Sequence, residues 1–277
     1  MRVIRRRRRT RRRRPVRIPV AALLTLGCLP GLAVLLALML SASGAERPVA
    51  LRTPRPVQVR SAVLHQAPKP HIVPRTAWAR GGARTQAPPR YDDRVLAVFV
   101  HHTASPNSYR CVDAPRIIRA LYTGQIGHRR WDDIGYNFLV DRCGTIYEGR
   151  AGGVERPVTG AHTQGFNHRT AGVAAIGTFT AGRTVPRAMT DAISALAAWK
   201  LGLADIDPRA RVRLVSSNGG SRYRSGATAL LPALAGHTDG YRTNCPGAAL
   251  STVLPAIRER AARLQGRRDI RPPDLSP

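Results

Sequence analysis

Between about His71 and Gln265 the chain alternates short apolar runs with stretches of helical periodicity. Val95-Leu-Ala-Val-Phe-Val100 is uninterrupted and rich in β-branched residues, the pattern of a strand covered on both faces. Asn137–Asp141 and Thr145–Glu148, separated by Arg-Cys-Gly, predict a hairpin with Gly144 in its turn. A further strand is expected over Val173–Thr178, with Gly177 inside it. Asp113–Tyr122 opens on an N-cap type and an early proline, then sets Ile117, Ile118 and Leu121 on one helical face. A second helix is expected from about Arg187 to Leu201, with Ile193, Leu196, Ala197 and Lys200 along a partly apolar stripe. A third is placed after Pro255, because proline suits a first helical turn. Strands interleaved with helices imply an α/β domain of about 195 residues built on one sheet. There is no internal repeat.

The apolar run Ile18–Leu40 differs in kind: it is 23 residues without a charge. Eleven arginines precede it within the first 17 residues, and no acidic residue occurs before Glu46. A basic start followed by an apolar run reads as a cytoplasmic segment and a membrane-inserting helix oriented by the positive-inside rule. Ser43 and Ala45 supply the small residues that a signal peptidase accepts. The run is longer than the ~7–15 residues of a usual cleaved signal, so both a signal peptide and an uncleaved anchor over residues 18–40 stand open. Cys28, inside the run, fits a lipoprotein site poorly and reads as an apolar residue. The expected organisation is therefore 1–45 signal or anchor, 46–70 Pro/Arg-rich linker, 71–265 folded domain and 266–277 disordered tail.

The 277 residues carry 45 Lys+Arg against 16 Asp+Glu, a formal charge of +29, and are 43% hydrophobic. That hydrophobic share builds a core, which excludes a wholly disordered chain. Only Lys69 and Lys200 among the basic residues are lysines. Without residues 1–45 the charge is still +18. Such a balance suits an acidic partner or a membrane surface, or reflects base composition alone. Nucleic acid is not an expected partner: the densest arginine block leads into an apolar segment, and no aromatic-rich basic strand is present.

Candidate chemistry concentrates in histidine and cysteine. His101 and His102 follow the first strand, and His237 lies eight residues before Cys245. Two imidazoles and one thiolate suit Zn2+ and leave a fourth position for water, although His-x7-Cys is no standard finger spacing and a lone histidine is more often structural. Cys111 and Cys143 would pair in an oxidising compartment, leaving Cys245 as an odd thiol that metal ligation explains; pairings that involve Cys245 stay open.

Five segments in order carry a family resemblance: Val98–Ala104, Trp131–Phe138, Gly144–Arg150, Gly160–Thr163 and Gly236–Gly247. With Ile72–Trp78 they resemble the type 2 N-acetylmuramoyl-L-alanine amidases of the peptidoglycan recognition protein superfamily, over about 195 of the 277 residues. The resemblance implies a single α/β domain, a central mixed β-sheet flanked by helices with a zinc-bearing groove. It implies His101, His237 and Cys245 as Zn2+ ligands, with His102 a neighbour on the substrate side. Tyr136 matches the tyrosine that projects toward the metal. Thr243 falls where phage relatives carry a catalytic lysine and many recognition-protein amidases carry threonine, so Tyr136 and Thr243 are the catalytic candidates and the general base is open. His162 matches a cleft-wall residue, either a substrate contact or a structural hydrogen bond. Thr238 departs from the arginine that is frequent in close relatives. Trp131, Asp132, Asp133 and Arg150 read as structural or cleft-forming. The implied activity is hydrolysis of the amide joining N-acetylmuramic acid to L-alanine in peptidoglycan, by an exported, monomeric enzyme that is secreted, wall-associated or anchored. The alternative is a non-catalytic peptidoglycan receptor of the same fold, a branch that typically lacks the cysteine ligand.

Overall fold

The computed structural model describes residues 65–79 and 87–268. Its centre is a six-stranded sheet of order β1-β4-β3-β5-β2-β8, formed by β1 (Ile72–Val73), β2 (Ala97–His102), β3 (Phe138–Val140), β4 (Ile146–Glu148), β5 (Thr170–Ala175) and β8 (Leu234–Gly236). All neighbouring pairs run parallel except the β3–β4 hairpin, so the sheet is mixed. β2 and β5 lie inside it and are buried along nearly their whole length, which is why both read as continuous apolar runs.

Strand alternation sorts the core into two faces. Phe138, Val140, Val173, Ala175, Val98 and Val100 pack on one side against helices α2 (Arg187–Gly202) and α4 (Ala248–Leu264). Leu139 and Ala174 point the other way, to Trp78, Ile134 and Ile118 of helix α1 (Ala114–Gly127). A separate hairpin, β6 (Arg211–Val215) and β7 (Thr228–Pro232), covers the β2–β8 end of the sheet. Its Leu214, Ala229 and Leu231 cluster with Phe99, Phe166 and Ala235. The expectation of one sheet is thus corrected to two. The hairpin's signal was the alternation Arg211-Val-Arg-Leu-Val, with polar positions exposed.

Other boundaries shift for identifiable reasons. β2 extends through His101 and His102, because its parallel register with β5 continues to Ala174 and Ala175. β5 starts earlier than expected and ends before Gly177. α1 runs to Gly127, five residues past the expected Tyr122, and Asp113 makes no side-chain cap bond. The last helix begins at Ala248, not after Pro255, which lies inside it on the exposed face. There water can satisfy the carbonyl that the missing N–H leaves free, and packing of Leu250, Leu254 and Ile257 holds the helix together.

The ends of the domain are held too. His65 donates its backbone N–H to Asp205 at 3.3 Å and Lys69 pairs with Glu155 at 3.0 Å, so the described part of the expected linker lies against the domain. Arg267 pairs with Asp205 at 2.6 Å. The expected signal or anchor, the linker up to residue 64 and the tail from residue 269 lie outside the described residues. Among the described residues no helix is long and apolar enough to cross a membrane.

Cys111 and Cys143 form a disulfide that ties the start of α1 to the β3–β4 turn across 32 residues. Cys245 is free, so the pairings that involve it do not occur. A loop of that length, closed in the unfolded chain, predicts a loss of about 2–4 kcal/mol of stability on replacing both cysteines with serine. Denaturant unfolding of the double variant against the oxidised protein measures it; equal midpoints would contradict the assignment.

Candidate metal and catalytic site

The C-terminal ends of β2 and β8 meet at one sheet edge, with Val100 opposite Gly236. The residue after each of these is a histidine, so His101, still in β2, and His237, just past β8, emerge side by side with ring centroids 4.4 Å apart. Successive side chains of a strand face opposite ways, which separates the two adjacent histidines of β2. His101 shares the side of Phe99, while His102 turns toward Phe179, whose N–H approaches its Nδ1 at 3.5 Å.

After β8 the chain makes a single helical turn, α3 (His237–Gly240), where Asp239 Oδ2 accepts the Gly236 N–H at 2.8 Å. It then returns through Tyr241–Pro246 to bring Cys245 Sγ within 3.8 Å of His101 Nδ1. The sulfur also accepts the His102 N–H at 3.3 Å, and one ligand atom each from His101, His237 and Cys245 lie within 4.8 Å of one another. Gly247 makes this return feasible: its φ is +95°, and a Cβ there would strike the Phe179 carbonyl.

His101 is fully buried, whereas His237 and Cys245 are half-buried, so the group opens to one side. Burial holds His101 well below its ordinary pKa, with the neighbouring histidines adding to the effect. Burial likewise lowers His237 to about 4, and His102 adds to it. Both rings are therefore neutral at pH 7, the form that ligates metals. The Cys245 thiol is pushed up to about 12 by desolvation, so its ionisation waits for a cation. Nδ1 of His237 is buried with no hydrogen-bond partner, the one such side-chain atom among the described residues. An unpartnered ring nitrogen beside a second imidazole and a thiol belongs to a donor set suited to Zn2+.

The other predicted residues divide around this group. The Tyr136 ring lies 5.2 Å from that of His101, and desolvation, with the Cys245 sulfur second, raises its hydroxyl above the ordinary value. Thr243 Oγ1 accepts the Cys245 N–H at 3.1 Å and steadies the ligand loop. His162 is 7% exposed. Its ring meets His101, Thr163 and Thr170, the contacts of the structural hydrogen-bond reading. Asp133 accepts from Arg75 at 2.7 Å and from the Ala151 N–H at 2.8 Å, and Arg150 donates to the Ile134 carbonyl at 3.1 Å. Both bind loops together, in line with their structural reading.

Sequence reasoning missed one wall. Arg222, Tyr241, Arg242, Thr243 and Asn244 line a cavity of about 430 Å3 next to the metal group. Tyr241 stacks on His237 with ring centroids 5.4 Å apart. Arg222 comes from the tip of the unpredicted β6–β7 hairpin and donates to the Thr238 carbonyl at 2.6 Å. A cavity of about 400 Å3 beside Val95 and Lys200 adjoins the start of β2 instead, and contains none of the metal-binding side chains.

Residues 91–248 match the family described as N-acetylmuramoyl-L-alanine amidase. Human N-acetylmuramoyl-L-alanine amidase is 32% identical over 217 residues, covering 74% of this chain and 32% of the relative, so the chain spans about a third of that protein. The structure of human PGRP-IBETAC in complex with glycosamyl muramyl pentapeptide superposes with a TM-score of 0.52 at 29% identity, covering 67% of this chain and 95% of that one. Peptidoglycan recognition protein-LE in complex with tracheal cytotoxin gives a TM-score of 0.50 at 27% identity, covering 66% and 92%. The ordered motifs, the mixed sheet and the match over residues 91–248 make this chain a member of the N-acetylmuramoyl-L-alanine amidase family, within the peptidoglycan recognition protein superfamily.

Proposed function

We propose that the chain hydrolyses the amide between N-acetylmuramic acid and L-alanine in peptidoglycan, with Zn2+ held by His101, His237 and Cys245. The observation that carries this reading is the complete three-donor group with the unpartnered His237 Nδ1, next to Tyr136 and to a cavity lined by Arg222 and Arg242. When bound, the ion would supply Lewis acidity toward an amide carbonyl and toward water. A receptor reading has the complex of the recognition protein LE in its favour. The free Cys245 supports the enzyme instead, because binding alone has no use for a third metal ligand.

The chain's own residues divide the remaining work. The Tyr136 hydroxyl, like any phenol, is protonated at neutral pH, and burial raises its pKa further, so it serves as a hydrogen-bond donor to the oxyanion that develops from the carbonyl. Thr243 receives the Cys245 N–H on its oxygen, which leaves its own hydrogen free to point into the cavity. Neither hydroxyl is a base at pH 7. Arg222 and Arg242 give the adjoining wall a positive potential that matches the carboxylates borne by peptide stems. His102, half-buried beside Cys245, contributes through its backbone N–H to the sulfur.

The basic start and the run Ile18–Leu40 fit a site delivered outside the cytoplasm, where peptidoglycan and anionic wall polymers lie. The excess positive charge would concentrate the protein there. Wall binding should then fall steeply with added salt, because exposed charges interact over only about 8 Å at physiological ionic strength. Sedimentation with purified walls measures this, and binding that stays flat from low to high salt removes the targeting role.

Metal analysis should find about one Zn2+ per chain. Cys245→Ser should lose zinc and hydrolysis together while circular dichroism stays unchanged, and a protein that neither holds nor responds to zinc would defeat the proposal. Tyr136→Phe removes one donor to the oxyanion, so kcat should drop about 10²–10³-fold with zinc content retained. Mass analysis of products from purified peptidoglycan must show free stem peptides; stems still joined to the glycan after zinc loading would favour the receptor.

A further inference from the structure

We infer that His162 and Thr170 set the tautomer of His101, so that its Nδ1 lone pair is bare and faces the metal position. This rests on the zinc reading above and adds positioning residues to it.

The argument is a chain of hydrogen bonds in which each donor is forced by the next. Thr170 Oγ1 lies 2.6 Å from the Phe166 carbonyl oxygen, which can only accept, so the hydroxyl donates there. The same Oγ1 is 3.3 Å from His162 Nε2. With its one hydrogen spent, Oγ1 can only accept, and Nε2 must carry the ring hydrogen. His162 is buried with no carboxylate among its partners and is neutral, so its Nδ1 is a bare acceptor. That Nδ1 faces His101 Nε2 at 3.2 Å. Two lone pairs at that distance would repel, so His101 carries its hydrogen on Nε2 and donates it to His162. Thr163 Oγ1 lies 3.0 Å from His162 Nδ1 and 3.4 Å from His101 Nε2; donating its one hydrogen along the shorter contact, it can only accept from His101 Nε2–H along the longer, which agrees with the same direction. His101 Nδ1 is then unprotonated, and it is the atom 3.8 Å from Cys245 Sγ.

The packing holds this chain in place. A Cβ on Gly172 would overlap the His162 ring, so the glycine of β5 gives the imidazole its room. Phe99, with its centroid 6.0 Å from that of His162, closes another side. Free imidazole favours neither nitrogen strongly. An unconstrained His101 would divide between tautomers, and the fraction protonated on Nδ1 could not ligate. Outer partners of this kind typically alter metal affinity 10–100-fold.

The test begins with 15N spectra of the histidine rings in the metal-free protein, which distinguish the two neutral tautomers without any variant. His101 should be wholly the Nε2–H form, and an Nδ1–H signal would overturn the inference. Thr170→Val keeps the shape but removes the hydroxyl, and His162→Phe keeps the ring volume but removes the acceptor. Both should give mixed His101 tautomers and bind zinc roughly 10–100-fold more weakly in chelator competition. His162→Asn, whose amide oxygen can replace Nδ1 as acceptor, should recover part of the affinity. Zinc affinity and tautomer unchanged in folded Thr170→Val would overturn the assignment. These readouts need no hydrolysis, so a protein that binds zinc but cleaves nothing fails the proposed activity and leaves this inference standing or falling on the spectra.

Discussion

The site depends on the parallel register of three strands. β5 and β8 flank β2 and run with it, so all of them end at one edge of the sheet. Val100 opposite Gly236 puts the next residues, His101 and His237, at neighbouring positions without any loop to position them. A parallel arrangement is needed: antiparallel neighbours would send one of the two chains away from the edge. Everything else at the site is fitted to this pair. The one-turn helix after His237 reverses the chain, and Gly247 lets the return pass close to Phe179 so that Cys245 reaches the histidines.

The same placement makes the group electrostatically unsatisfied. Histidines and a cysteine are drawn out of water, yet no carboxylate faces them, so burial keeps all three neutral. A buried polar atom without a partner is costly, and His237 Nδ1 is such an atom. A divalent cation would relieve both conditions at once, by using the lone pairs and by stabilising the thiolate. Beneath the ligands the polar atoms are instead fully engaged, through His162, Thr163 and Thr170. The contrast between a satisfied support and an unsatisfied rim is what marks the rim as the functional surface.

The superfamily uses one scaffold for cleavage and for binding, so fold alone does not decide between them. The proposed hydrolysis is supported by side chains instead: a free thiol beside two histidines, and a tyrosine ring next to His101. The β6–β7 hairpin adds a wall to this scaffold through Arg222, anchored on the carbonyl that follows His237. The cavity wall and the cysteine of the candidate metal group thus lie in one short segment, Tyr241–Cys245.

Several features were legible along the chain. The apolar run at Val95–Val100, the β3–β4 hairpin and the stripe of α2 are local patterns, and local patterns survive folding when the core rewards them. The gathering of His101, His237 and Cys245, with Tyr136 and Thr243 beside them, was legible through ordered motifs, and the pairing of Cys111 with Cys143 through the count of thiols. What the tertiary structure alone decided is everything that depends on facing and register. Only strand alternation separates His101 from His102, and only packing turns His162 inward. The start of α4 before Pro255 went unread because a local rule for proline competed with apolar contacts to α2, and the contacts prevailed. The β6–β7 hairpin escaped because its charged alternation resembles a loop until Phe99 and Phe166 cover its apolar face. Sequence carries residue type and spacing, while chemistry at this site is decided by distances of 3–4 Å between residues as far apart as His101 and Cys245.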